Sequence, residues 1–367
     1  MTSLYSLLHL LVDGICAFSM FGRFLPHGNQ TINFLLYNFC AFALQMPFGT
    51  ILDFFIKQEK CSRTTKIPCF VAIIGVLFTL LGTFTHPILL GIGNALFHVG
   101  GGVGTIYEDH AKHWKGRGLG IFVAPGALGL YLGTLAAKNK IAQDWLWIIC
   151  SIMLLCCAFA INQARKFLPF CYIEQSSASF DNSTFTMQNG TVSYNVYPQN
   201  STQRNLAPLC VALCCLLVVI LRSYVGMMVL FPWKTSIFSG VLAVMSIVFG
   251  KIAGGFLAAR YGILKISITS LFFAAIAYLC SDIMLFGIIA LFLFNMTMPI
   301  TLYLMVCLFL RMPGFSFGFL TFGLFLGFLP AYFGFPTIIS GNLIGCVGSV
   351  LSMLLLYASL HTTSCSI

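Results

Sequence analysis

Residues 171–205 read CYIEQSSASFDNSTFTMQNGTVSYNVYPQNSTQRN, and they are the one long polar stretch in a chain of 367 residues. Six apolar runs precede this segment and six follow it. Hydrophobic residues make up 59% of the chain and charged ones 8%, with mean hydropathy +0.95. A soluble domain carries about 25% charged residues, so most of this surface must face lipid. A membrane-spanning helix needs about 20 mostly apolar residues. The runs predict helices over 3–22, 31–56, 67–84, 87–107, 118–137 and 145–165, then over 206–229, 235–258, 265–281, 283–309, 314–334 and 338–360. Helices are expected because a lipid-facing backbone must satisfy its own hydrogen bonds. A membrane β-barrel would alternate polar and apolar residues, whereas Ile148 to Ala160 is almost continuously apolar. The expected fold class is therefore an all-α membrane protein with twelve transmembrane helices in two six-helix bundles. Residues 1–165 form the first bundle, 166–205 a cytoplasmic polar linker and 206–367 the second bundle.

Charge sets the direction. With the N-terminus in the cytoplasm, thirteen Lys and Arg fall in inside loops. Four fall outside, namely Arg23, Lys138, Lys140 and Lys234. That asymmetry is the one expected of a correct topology, and it places both termini and the linker in the cytoplasm. The net charge of +10 is spread over many short loops rather than one basic stripe, so no nucleic-acid partner is expected. The first run lacks a basic flank and a small-residue cleavage site and reads as a retained helix. The fifteen Cys lie mostly inside apolar runs without zinc spacing, so no metal or disulfide framework is expected. The sequons at Asn182, Asn189 and Asn200 face the cytosol on this topology and carry no meaning. No P-loop, nucleophile elbow or H-E-x-x-H is present, so neither an enzyme nor a cofactor is expected.

Two segments are similar to the paired signature of the major facilitator superfamily. Gly49-Thr-Ile-Leu-Asp53 closes the second helix, and Gly250-Lys-Ile-Ala-Gly-Gly255 leads to Arg260-Tyr-Gly262 at the end of the eighth. The basic tail of the first copy is replaced by Phe54-Phe55-Ile56-Lys57, and Ala259 stands where an acid is usual. A narrower resemblance, to the fosmidomycin-resistance branch, rests on His9-Leu-Leu-Val-Asp13, on Gly93-Asn-Ala-Leu-Phe-His98 and on the glycines from Gly118 to Gly129. The superfamily implies two bundles rocking about a central site near mid-membrane. It also implies a small-molecule substrate, the plasma or inner membrane, and a monomer. The branch implies proton-coupled export.

A few polar residues in apolar helices are the candidate site. An ionised acid at mid-membrane costs roughly 2.5–3.5 kcal/mol even on a lenient scale. Asp13 therefore either handles protons or substrate or makes a structural hydrogen bond. His9 stands one turn before it on the same face and can share a proton. It equally fits a packed hydrogen-bonder. His98, with Asn94 one turn before it, faces Asp13 if the first and fourth helices adjoin as the resemblance implies. Otherwise it bonds a backbone carbonyl. Arg222 either meets an anionic solute, pairs with Asp13 across the halves, or snorkels outward. Gln45 is a weaker candidate for the cavity. Gly49, Asp53, Gly250, Lys251, Arg260 and Gly262 are expected to shape the gate, with Lys251 and Arg260 fixing the junction after the eighth helix. Glu108-Asp109-His110 with His113 resembles a metal cluster but is expected to be a solvated loop. The expected function is a secondary active transporter, exporting a small organic solute in exchange for protons. The alternatives are a symporter or uniporter for a metabolite or organic anion, and a non-transporting sensor.

Overall fold

In the computed structural model, residues 1–26, 29–58, 66–139, 143–166, 184–188, 191–195, 201–335 and 339–362 are described. The twelve apolar runs are twelve helices. The first six are α1 (Thr2–Phe24), α2 (Gln30–Lys57), α3 (Lys66–Phe84), α4 (Pro87–Ala111), α5 (Arg117–Lys138) and α6 (Gln143–Lys166). The second six are α7 (Ser201–Met228), α8 (Ile237–Tyr261), α9 (Ile263–Leu279), α10 (Met284–Leu308), α11 (Pro313–Tyr332) and α12 (Gly341–Thr362). Eleven are long and apolar enough to span a bilayer, and α9 is shorter, with 17 residues. Two helices loosen into π-turns, α1 at Met20–Phe24 and α2 at Phe39–Ala43.

Within the first bundle α1 packs on α5 and α3 on α4. Within the second, α7 packs on α11 and α12, and α9 on α12. The main contacts that join the bundles are α2 with α11 and α5 with α8. Shifting every helix number by six turns the first of these contacts into the second, so the seam carries the repeat of the two halves.

Lipid offers no hydrophobic drive between helices, so close backbone contact between small residues does that work. On the α1–α5 seam a Cβ at Gly129 would collide with the Leu10 carbonyl, and one at Gly133 with the Gly14 carbonyl. Several buried hydroxyls are satisfied within their own helix, as in Thr79 to Gly75, Thr83 to Thr79 and Thr105 to Gly101. Large apolar side chains such as Phe70, Leu155 and Phe238 point outward, where lipid replaces water.

The polar linker contains a short antiparallel hairpin, β1 (Thr184–Gln188) with β2 (Thr191–Asn195), pairing Thr184 with Asn195 and Gln188 with Thr191. The linker's content of Ser, Thr, Asn and Gln by itself favours flexible or partly ordered chain. The intervening Asn189-Gly190 is the residue pair that favours a tight hairpin turn. The three sequon asparagines lie outside the described residues. A further difference is the end of α4, expected near 107. It runs on to Ala111 because Glu108 and Asp109 are buried and bonded rather than solvated.

Gly129→Ala should overpack the α1–α5 seam and cost about 1–3 kcal/mol of stability. Gly226→Ala, whose Cβ would meet nothing within 4 Å, should cost far less. Thermal unfolding of the two variants in detergent checks this.

Candidate functional site

The site begins with a proline. Pro125 lies inside α5 and has no N–H, so the carbonyl one turn before it, at Ile121, loses its helical partner. The Ser6 hydroxyl of α1 donates to that carbonyl at 3.1 Å. The next carbonyl, at Phe122, accepts from His9 Nδ1 at 2.7 Å. The third, at Val123, accepts from Lys251 Nζ of α8 at 3.2 Å. One short stretch of α5 thus takes hydrogen bonds from both halves of the molecule.

His9 Nε2 lies 3.2 Å from Asp13 Oδ2 and 2.8 Å from His98 Nε2, and His98 Nε2 lies 3.5 Å from Asp13 Oδ1. The His98 ring is fixed by Nδ1, which donates to the Asn94 carbonyl at 2.8 Å. The Asn94 amide donates to Asp13 Oδ1 at 3.1 Å. Carbonyl oxygens only accept, so both histidines carry their hydrogen on Nδ1. In the neutral rings both Nε2 atoms are then bare lone pairs. They meet each other and a carboxylate, an arrangement that demands a proton or another cation between them. The Asp13 side chain keeps 20% exposure, against 7% for His9 and 10% for His98, so it is the open edge of the cluster. Gly126 makes room for it, since a Cβ there would collide with His9 Nε2 and crowd Asp13 Oδ2.

The second half contributes positive charge. Arg222 of α7 and Lys251 of α8 are both buried, and they lie within electrostatic reach of each other. Lys251 also lies within reach of Asp13 and His98. Arg222 Nη1 is buried without a hydrogen-bond partner among the described residues. A buried charge without a partner costs several kcal/mol.

No protein-family model and no curated protein matches the sequence. Solved structures do match over nearly its whole length. The E. coli fucose:proton symporter FucP aligns with TM-score 0.61 at 12% identity, covering 97% of each chain. The human organic anion transporter MFSD10 aligns with TM-score 0.62 at 14% identity, covering 98% of each. The nucleoside transporter NupG aligns with TM-score 0.51 at 12% identity, covering 99% of each. The chain has the major facilitator fold.

In this fold the two bundles meet at both ends of the seam. At the end with the basic loops, the Asp53 carboxylate of α2 accepts from the backbone N–H groups of Gly314 and Phe315 at 2.8 and 2.7 Å. It thereby caps the first turn of α11 from the opposite half. Beside it, a Cβ on Gly49 would collide with the Gly314 carbonyl. On the α5–α8 side a Cβ on Gly120 would crowd the Lys251 carbonyl, and one on Gly255 the Gly116 carbonyl. At the other end two tyrosines do matching work. Tyr131 of α5 donates to the Ile237 carbonyl of α8 at 3.1 Å, and Tyr332 of α11 to the Thr31 carbonyl of α2 at 2.6 Å.

Of the site residues expected from sequence, His9, Asp13, Asn94 and His98 come together. Arg222 makes no ion pair with Asp13, which is held by the two histidines and Asn94. Gln45 is elsewhere. It is fully buried beside Gly318 on the α2–α11 seam, with Nε2 on the Ala41 carbonyl and Oε1 unpartnered among the described residues. Lys251 is not at the end of its helix but more than two turns inside it, aimed at α5. Gly250 backs onto Phe292 of α10 within its own half. Arg260 is exposed over the Tyr261 ring, and Gly262 ends α8 with φ +96°. Glu108 and Asp109 correct the solvated-loop expectation. Glu108 accepts from Thr2 and Lys112, and Asp109 accepts from the N–H groups of Gly116 and Gly118 at the start of α5. Tyr131 and Tyr332 escaped sequence reading because nothing local distinguishes them from ordinary helix residues, and Gly126 was legible only as one of a run of glycines.

An N-cap carboxylate is worth about 1 kcal/mol, or roughly fivefold in a two-state population. Asp53→Ala should therefore raise maleimide labelling of Ser316→Cys about fivefold, in a background with the native cysteines replaced. Tyr131→Phe with Tyr332→Phe should not raise it.

Proposed function

We propose that the protein is a secondary transporter that moves a small organic anion together with a proton by alternating access. The observation that carries this reading is the His9–Asp13–His98 cluster of one half, which demands a cation, set within reach of buried Lys251 of the other half, which in turn lies within reach of buried Arg222. Without a proton the cluster has a net charge of −1, and Asp13 acts as a distant counter-charge for Lys251. Protonation removes that charge. Lys251 is then left without that compensation and, with the unpartnered Arg222 beside it, attracts an anionic solute. Proton and anion thus favour each other's binding, which is the requirement for moving them in the same direction. The unpartnered Arg222 Nη1 supports the same reading, since an anion would supply the acceptor it lacks.

Proton-antiport export, which the fosmidomycin-resistance resemblance implies, needs a solute that displaces the proton. A cationic solute would do so, and two buried cations beside the site weigh against one. FucP and MFSD10, a proton symporter and an organic anion transporter, support the fold at 12% and 14% identity. In this reading the chain works as a monomer in the cell membrane.

The test is a panel of small carboxylates, sulfonates and phosphonates offered to proteoliposomes holding an internal pH dye. At least one should acidify the lumen as it enters, and its flux should fall as external pH rises. Asp13→Asn and Arg222→Gln should each lower that flux at least about tenfold, the loss of one charge-assisted contact of roughly 1.5 kcal/mol. Alkalinisation during solute entry would favour the antiporter. Movement of organic cations alone would overturn the anion reading, and no flux with any solute would favour the sensor.

A further inference from the structure

The His9–Asp13–His98 cluster has a second chemical capacity. A borderline divalent ion such as Zn2+ or Co2+ binds imidazole nitrogen at about 2.0–2.1 Å and carboxylate oxygen at about 2.0–2.2 Å, commonly in a tetrahedron. Donors around such an ion stand about 3.3 Å apart. The two Nε2 atoms are 2.8 Å apart, and the Asp13 carboxylate meets them through different oxygens, Oδ2 at 3.2 Å from His9 and Oδ1 at 3.5 Å from His98. With one donor atom from each residue, all lie within 4.8 Å of one another, so a small rotation of the carboxylate and a modest opening of the two rings complete the site.

The surroundings are those of a ligand set. A metal-binding histidine normally donates its other ring N–H to a carbonyl or carboxylate, which fixes the tautomer and turns the free lone pair to the ion. Both histidines do so here, His9 to the Phe122 carbonyl and His98 to the Asn94 carbonyl. Asp13 is steadied in turn by the Asn94 amide. The donors come from two helices that pack against each other. The absent side chain of Gly126 leaves the space against His9 and Asp13 that a Cβ would fill. Two imidazoles and one carboxylate suit first-row ions of intermediate softness, not Mg2+ or Ca2+. Three protein donors also leave a coordination position for water or a solute atom.

We infer that this cluster binds one divalent transition-metal ion of the Zn2+ or Co2+ type, in exchange for the proton it otherwise holds. The inference rests on the geometry of the cluster and not on transport. Where the proposed function also holds, the ion blocks proton loading and inhibits flux.

Co2+ titrated into the full chain in detergent tests it. One equivalent should bind, giving visible ligand-field bands without the thiolate charge-transfer band that cysteine ligation would bring. Binding should release one proton, and apparent affinity should fall about tenfold per pH unit on acidification. These readouts use the natural sequence and need no variant to fold. His98→Gln, and Gly126→Ala, which fills the space, should each weaken binding at least about tenfold, as loss of a ligand or its support does. Absence of binding, thiolate bands, or affinity unchanged in both variants would overturn the inference and leave the transport reading standing. Binding without solute flux would keep the metal site and overturn the transport reading.

Discussion

Contact between the backbones of α1 and α5 is the constraint on which the site depends. In lipid, packing between helices must come from close fit, because the solvent is as apolar as the side chains. Gly14, Gly129 and Gly133 let the two helices meet backbone to backbone. At that distance a side chain as short as Ser6 reaches the carbonyl that Pro125 leaves free, and His9 reaches the next one. Every later feature of the cluster follows from this, including the fixed tautomer of His9 and the edge presented to Asp13 and His98.

The two halves play unequal parts in a symmetric frame. The seam is built from matching helix pairs, and the tyrosines Tyr131 and Tyr332 each donate across it at the same end. The charges are not equivalent. The first half supplies an acid with two histidines, and the second supplies Arg222 and Lys251. Lys251 also grips the Val123 carbonyl, one residue beyond the carbonyl that holds His9. A relative movement of the halves is therefore felt within one peptide unit of the cluster.

The twelve spans were legible because a bilayer imposes one length on every helix, and apolar runs of that length are hard to mistake. Asp13 and His9 were legible because their spacing puts them on one face. Faces were not legible in helices that are apolar all round, such as α8. Nothing local shows that Lys251 turns toward α5 rather than toward the loop. Partners distant in sequence were hidden for the same reason. Asp109 looks like part of a charged loop until the N–H groups of Gly116 and Gly118 are seen above it. The hairpin was not legible in the linker's composition, which is that of flexible chain, and only the local Asn189-Gly190 pair signals it.

Asp53 has a consequence for the energetics of opening. The first turn of α11 is finished by a residue from the other half, so separating the halves at this end strips a helix of its cap. The exposed amides must turn to water, and the aligned peptide dipoles lose the negative charge that stood at their positive end. Opening is thus partly a helix-end reaction, with a restoring force that acts over the length of a hydrogen bond. In the transport cycle proposed above, a latch of this kind would be indifferent to the solute and would bias the resting molecule toward one side of the membrane before anything has bound.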